Sequence, residues 1–320
     1  MSISRQDILS MDRRSFMRKT AAGVSAVIVG PTIIGQSGCS VLNSQPKSQK
    51  LLSSNDIVTL GNTGITTSRL AIGTGSNGAE QQRRGIEGMV KVFHHALDKG
   101  LFWIETADMY KTHPHVRAFL KEIKRERVVI TSKTLAKDAP GVHSDVERFR
   151  KELKTDYIDI LLLHCMSDPV WPEKMKGAME ELSKAKEKGH VRAIGCSLHM
   201  LGALEAACKE LWGDVYVVRI NPFAVNMDVD KVTEIPKVER AIKKLNGQRK
   251  AVYGMKLLGG ANPHIRKSRL QGNKIDESLR FVLSKPYLAG FTIGFSQEKH
   301  IDDIMQRIRR VQQFSGEEKL

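Results

Sequence analysis

The chain has 320 residues, 41% of them hydrophobic and 27% charged. That is enough for one large domain or two ordinary ones, and too apolar for global disorder. A formal net charge of +16 points to anionic partners, but the lysines and arginines alternate with acids along stretches such as 117–127 and 184–188. These are solvated helix faces without stacking aromatics, which argues against a nucleic-acid partner and leaves room for a phosphorylated small molecule.

The first fifty residues stand outside the predicted fold. Asp12-Arg13-Arg14-Ser15-Phe16-Met17-Arg18-Lys19 pairs two arginines with a phenylalanine and further basic residues, and a moderately apolar run follows from Thr20 to Gly35. The run is short and rich in Gly, Ser and Thr, as an export signal is and a membrane span is not. It resembles a twin-arginine (Tat) signal, which implies handling by the Tat export machinery and a periplasmic location. Ser37-Gly38-Cys39-Ser40 is similar to a lipoprotein cleavage box with Cys39 as acceptor, which implies a membrane tether; a cytoplasmic protein with an uncleaved leader is the alternative. Removing residues 1–38 takes away five basic and two acidic residues and leaves +13. The expected domains are a signal segment at 1–38, a flexible linker at 39–55 and one folded domain at 56–320. Cys165, Cys196 and Cys208 remain in that domain. No CxxC or Cys/His spacing suggests a zinc or iron–sulfur site, and three buried thiols are expected rather than a disulfide.

Val58 to Arg69, with Gly61-Asn62-Thr63-Gly64 in its middle, reads as a β-hairpin. Leu70 to Thr74 is a short buried strand, and 81–99 carries apolar residues at helical spacing. The pattern then repeats. Strands begin near Leu101, Arg127, Tyr157, Val191, Val215, Lys250 and Leu288, each followed by a helix, at about 115–124, 142–153, 173–188, 201–211, 232–245, 276–283 and 301–312. Eight βα units predict an α/β fold, a (β/α)8 TIM barrel, with the hairpin closing its bottom. Runs such as Ile158 to Leu163 suit parallel strands covered on both faces. Gly73-Thr74-Gly75-Ser76-Asn77-Gly78 also matches the dinucleotide fingerprint G-x-G-x-x-G. There the helix should start at the third glycine, whereas polar residues 79–84 intervene, and eight regular units fit a closed barrel better.

Polar groups gather where three successive strands end: Glu105 and, five residues on, Tyr110; Lys133; and His164. A phenol near pKa 10 needs help to do acid–base work at neutral pH, and a neighbouring ammonium favours its anion. With these residues in a barrel, the chain resembles the aldo-keto reductases from about Val58 to Val311. The resemblance rests on Leu60-Gly-Asn-Thr-Gly-Ile-Thr-Thr-Ser-Arg-Leu70, Ile104-Glu-Thr-Ala-Asp-Met-Tyr110, Leu153-Lys-Thr-Asp-Tyr-Ile-Asp-Ile-Leu-Leu-Leu-His164, Gly189-His-Val-Arg-Ala-Ile-Gly-Cys-Ser197 and Met255-Lys-Leu-Leu-Gly-Gly260. It implies an oxidoreductase that passes a hydride from NADPH to the carbonyl of a small aldehyde or ketone. Tyr110 would protonate the oxygen, Lys133 would assist it, Glu105 would orient Lys133, and His164 would bond the substrate oxygen. It further implies an NADP(H) site in which Ser197 meets the nicotinamide carboxamide and Lys256, Leu258 and Gly259 pass the phosphates. Gly294, Ser296, His300 and Asp303 would approach the adenosine.

The departures lie in the same places. Glu105 stands for the family's aspartate, Leu198 for an asparagine, Arg219 for a glutamine, Met255 for a stacking aromatic ring, His300 for an arginine and Ile304 for an asparagine. They motivate a competing expectation, an exported non-catalytic barrel whose eroded cofactor site binds a small ligand or partner.

Overall fold

Period-two patterning sets the architecture. In β6 (Ile158–Met166), Ile160 and Leu162 join an inner cluster while Leu161 and Leu163 join an outer one. In β8 (Val215–Arg219), Val215 and Val217 go inward, and Tyr216 and Val218 outward. A strand buries both faces where the sheet is covered on each side, here by the barrel interior on one and by helices on the other. The computed structural model has that form and describes residues 51–75, 80–260 and 270–317. The predicted signal segment and most of the predicted linker lie outside the described residues.

Eight parallel strands close a barrel: β3 (Leu70–Gly73), β4 (Trp103–Glu105), β5 (Val129–Thr134), β6, β7 (Val191–Leu198), β8, β9 (Ala251–Met255) and β10 (Gly290–Gly294), with β10 pairing both β9 and β3. Around them run α1 (Glu80–Asp98), α2 (His113–Leu120), α3 (Ala139–Leu153), α4 (Trp171–Lys174), α5 (Lys176–Glu187), α6 (Leu201–Ala207), α7 (Ile235–Gly247), α8 (Asn273–Leu283) and α9 (Glu298–Glu317). The (β/α)8 expectation holds, and the doubly wound alternative does not.

The hairpin forms from β1 (Ile57–Thr59) and β2 (Thr66–Ser68). Between them Leu60 and Ile65, fully buried, pack with Ala71, Trp103, Val129, Ile160, Val215 and Ala251, which closes the barrel at the strand N-termini. The predicted linker is too long at its C-terminal end. Leu52 N–H donates to Leu283 O (3.2 Å), Leu70 N–H to Ser54 O (2.8 Å), and Gln312 donates to Leu52 O (3.1 Å). Once Leu51 and Leu52 pack on the outer core, their backbone finds partners there. The helix predicted at 173–188 is interrupted at Met175, and the first turn of the one predicted at 232–245 is a 3-10 turn at Val232–Glu234. Among the described residues no helix is long and apolar enough to cross a membrane.

Candidate active site

The parity that fills the barrel also builds its mouth. Inward positions run Trp103–Glu105 on β4, Val129–Thr131–Lys133 on β5, Ile160–Leu162–His164 on β6, Ala193–Ser197 on β7, Val217–Arg219 on β8 and Tyr253–Met255 on β9. Five of these six strands carry apolar or small residues low in the barrel and a polar or charged one at the C-terminal end, where barrel enzymes keep their sites; β9 ends in Met255.

Tyr110 reaches this layer from a 3-10 turn, Asp108–Tyr110, that follows β4 and ends at Lys111 in the left-handed region (φ 56°). Gly75 lies against the phenol ring: a Cβ there would sit 2.4 Å from Tyr110 Cζ. The glycine of the apparent fingerprint therefore makes room for a side chain, and Gly78 lies outside the described residues.

The four predicted groups converge. Lys133, almost fully buried, donates to Glu105 Oε1 in a short buried ion pair, to Thr106 O at 3.1 Å and to Tyr110 OH at 3.4 Å. The Tyr110 and His164 rings meet edge to face, 5.6 Å between centroids. Burial dominates the electrostatics. It raises the Tyr110 phenol well above its ordinary value, with Cys165 adding to the effect. The sequence suggested that Lys133 would hold that pKa down; desolvation of the phenolate outweighs an ammonium that is itself desolvated. Burial first, with repulsion from Lys256, lowers Lys133 to about 7 against an opposing effect of Cys165, and the Glu105 carboxylate in contact with it favours the ammonium. His164 falls to about 2, through burial first and then repulsion from Lys133, so its imidazole is neutral.

Beside these lies a second group. Ser197 Oγ accepts from Cys165 N–H (3.1 Å) and bonds His199 Nε2 (3.0 Å), and Arg219 Nη2 donates to His199 Nδ1 (2.5 Å). Arg219 also faces Asp228 at 3.6 Å; burial pushes that carboxyl up to about 7, with Arg219 opposing. His199 and Asp228 escaped the sequence reading. His199 had a readable signal, two residues beyond Ser197 at a strand exit, whereas Asp228 lies in a long loop without pattern. Of the three cysteines among the described residues, Cys196 and Cys208 are buried and Cys165 is half-buried at the mouth, and all three are free thiols.

The remaining cofactor candidates follow the rim from β9 to α9. Met255 pairs with Arg219 across the sheet. Lys256 is left-handed (φ 61°), and a Cβ on Gly260 would stand 2.4 Å from Lys256 Cδ, so the loop through Leu258 and Gly259 wraps a bare cradle around that side chain. Gly294 ends β10 beside Gly73, and Ser296 donates to Glu80 at 2.8 Å. His300 and Asp303 lie on the first turns of α9, where Asp303 accepts from Arg307 of the same helix. No hydrogen bond joins these two to the Tyr110 cluster among the described residues.

A model of the aldo/keto reductase family matches residues 69–241. Among curated proteins, the chain is 34% identical over 122 residues to a glyoxal reductase of Bacillus subtilis (36% of this chain, 42% of that protein). It is 31% identical over 158 residues to the aldo-keto reductase YhdN of the same organism (44% and 46%), and 32% over 112 residues to the methylglyoxal reductase DkgA of Yersinia pestis (33% and 38%). The matched stretch spans less than half the length of each of these relatives. Among solved structures, a putative aldo-keto reductase from Pseudomonas aeruginosa shares the fold with a TM-score of 0.65 at 21% identity, over 83% of this chain and 99% of the other. With a family model matched along more than half its length and the barrel that goes with it, this chain belongs to the aldo/keto reductase family.

Proposed function

We propose that the chain is an exported, NAD(P)H-dependent reductase that converts an aldehyde or ketone to an alcohol, with Tyr110 as proton donor. The observation that carries this reading is the buried Lys133 ammonium set between Glu105 and the Tyr110 hydroxyl, with the neutral His164 ring beside that phenol. A carbonyl oxygen held between Tyr110 and His164 would receive the phenolic proton as negative charge develops on it. Lys133 then stabilises the phenolate left behind, which costs far more in a dry pocket than in water. Glu105 fixes Lys133 in place. The neutral imidazole of His164 donates its single N–H to the oxygen.

The dinucleotide, when bound, supplies the hydride. The donor set along the rim fits it: the charge effects on Lys256 among the described residues come from Arg219 and Cys165, with no carboxylate, and its side chain lies against Gly260, which suits a pyrophosphate. At the far end the sequence reading favours NADP(H). Glu80 on Ser296 and the carboxylate of Asp303 suit ribose hydroxyls better than a third phosphate, so both dinucleotides belong in the test. Glyoxal and methylglyoxal, named for two of the relatives, are the first substrates to try.

In Tyr110→Phe, dinucleotide affinity by fluorescence titration should stay within about twofold while carbonyl turnover falls by roughly a hundredfold or more. Full turnover in that variant would remove the assigned role. Failure of the wild type to bind either dinucleotide at hundreds of micromolar would favour the ligand-binding barrel instead. The export reading rests on Arg13 and Arg14, and the tether on Cys39, all outside the described residues.

A further inference from the structure

Consecutive residues of a regular strand point to opposite faces, so His164 and Cys165 should not share a pocket. Here they do. The β6–β7 register shifts between Leu163 and Met166, and Cys165 takes a left-handed backbone (φ 65°) that a non-glycine residue adopts at a cost. The distortion turns the thiol toward the mouth beside the imidazole. From the adjoining strand His199 arrives at the same place, and one donor atom from each of His164, Cys165 and His199 lies within 4.8 Å of the others. His164 is 4% exposed and its Nδ1 has no hydrogen-bond partner. A thiol on a strained backbone and a second imidazole are more than the carbonyl reading uses, since that reading asks for His164 alone.

We propose that His164, Cys165 and His199 form a site for a thiophilic divalent cation of the zinc class, with the fourth position open toward the barrel mouth. Two imidazoles and a thiolate are borderline-to-soft ligands, and three protein ligands with one open position is an arrangement zinc accepts. Donor atoms must close by roughly an ångström to reach ligand distances of about 2.0–2.3 Å. On binding, Cys165 Sγ–H releases its proton to solvent and an S–metal bond forms. The two imidazoles each donate a lone pair, and His199 exchanges its bond to Ser197 or to Arg219 for the metal. Arg219, Lys133 and Lys256 oppose a cation here; the new thiolate, Glu105 and Asp228 offset them. Because the ligand set includes His164, the cation and a carbonyl substrate would compete, a consequence that rests on the reductase reading while metal binding does not.

The test is cobalt(II) titration of the intact folded chain, without dinucleotide or substrate. One equivalent should produce a thiolate-to-cobalt charge-transfer band in the near ultraviolet together with tetrahedral visible bands, and zinc(II) should abolish both. Cys165→Ser should remove the charge-transfer band, and His199→Gln should weaken cobalt binding at least about tenfold, each variant keeping the wild-type circular dichroism. Tyr110→Phe should keep the band, so failure of the metal site and failure of the reductase reading are told apart. Absence of the band, or its survival in Cys165→Ser, would overturn the site; if Cys165→Ser does not fold, an unchanged cobalt affinity in His199→Gln would do the same.

Discussion

Lys133 shows how a single side chain couples the site to pH. In the proposed mechanism the side chain helps only while protonated, because a developing Tyr110 phenolate would need a positive neighbour. Burial and Lys256 bring it down to about 7. The charged form is populated below that value and is lost as pH rises through it, so kcat/KM for carbonyl reduction should fall on the alkaline side with a midpoint near 7. Tyr110 contributes no limb there, since its own pKa is driven upward. Removing the Lys256 charge with Lys256→Met should move the midpoint to higher pH, as a pH–rate profile would record; a limb that stays in place would exclude Lys256 as a source of the shift. Which residues gather at the barrel mouth was legible from strand ends, but the direction of the Tyr110 shift was not. Proximity of opposite charge can be guessed from spacing, whereas the desolvation opposing it depends on how completely the folded chain excludes water.

At the scale of elements, the turn that presents Tyr110 is held from outside the barrel. Arg148 on α3 makes two parallel 2.9 Å bonds to the Asp108 carboxylate, and also bonds Asp145 and Glu152. Glu152 accepts from His113 (2.6 Å), whose other nitrogen bonds Ser132, the neighbour of Lys133 (2.9 Å). Arg148 is therefore a positioning residue, linking the Tyr110 turn and β5 to one helix. Arg148→Ala should reduce turnover by about ten- to a hundredfold, as a misplacement near an ångström does, with a stability loss of only about 1 kcal/mol at this half-exposed position. Arg148→Lys should recover little, because an ammonium cannot replace the two-pronged contact. A different constraint holds β7 against β8: a Cβ on Gly195 would lie 1.8 Å from Val215 O. Gly195→Ala should cost about 3 kcal/mol or more, measurable by denaturant unfolding. Neither feature was readable beforehand. Asp108 and Arg148 are forty positions apart and look like ordinary surface charges until α3 packs beside the turn.

For the whole molecule, the eight-fold repeat was legible because a parallel barrel leaves a strong signature: apolar runs buried on both faces, separated by amphipathic helices. Even the hairpin that closes the bottom followed from its place before the first strand. Export belongs to this scale too. With Arg13 and Arg14 both changed to lysine, the protein should accumulate in the cytoplasmic fraction, and unchanged fractionation would discredit the export reading. The sequence by itself determined the barrel and the placing of Glu105, Lys133 and His164 at strand ends with Tyr110 just beyond, because hydrophobic period and strand-end position are local properties. Only the tertiary structure decided what these residues meet: the Arg148 clamp, the Arg219–Asp228 pair, and the bulge that turns Cys165 toward His164 and His199. Those contacts arise from closing a sheet on itself, which brings distant strand ends within bonding distance and leaves no trace in the order of residues along the chain.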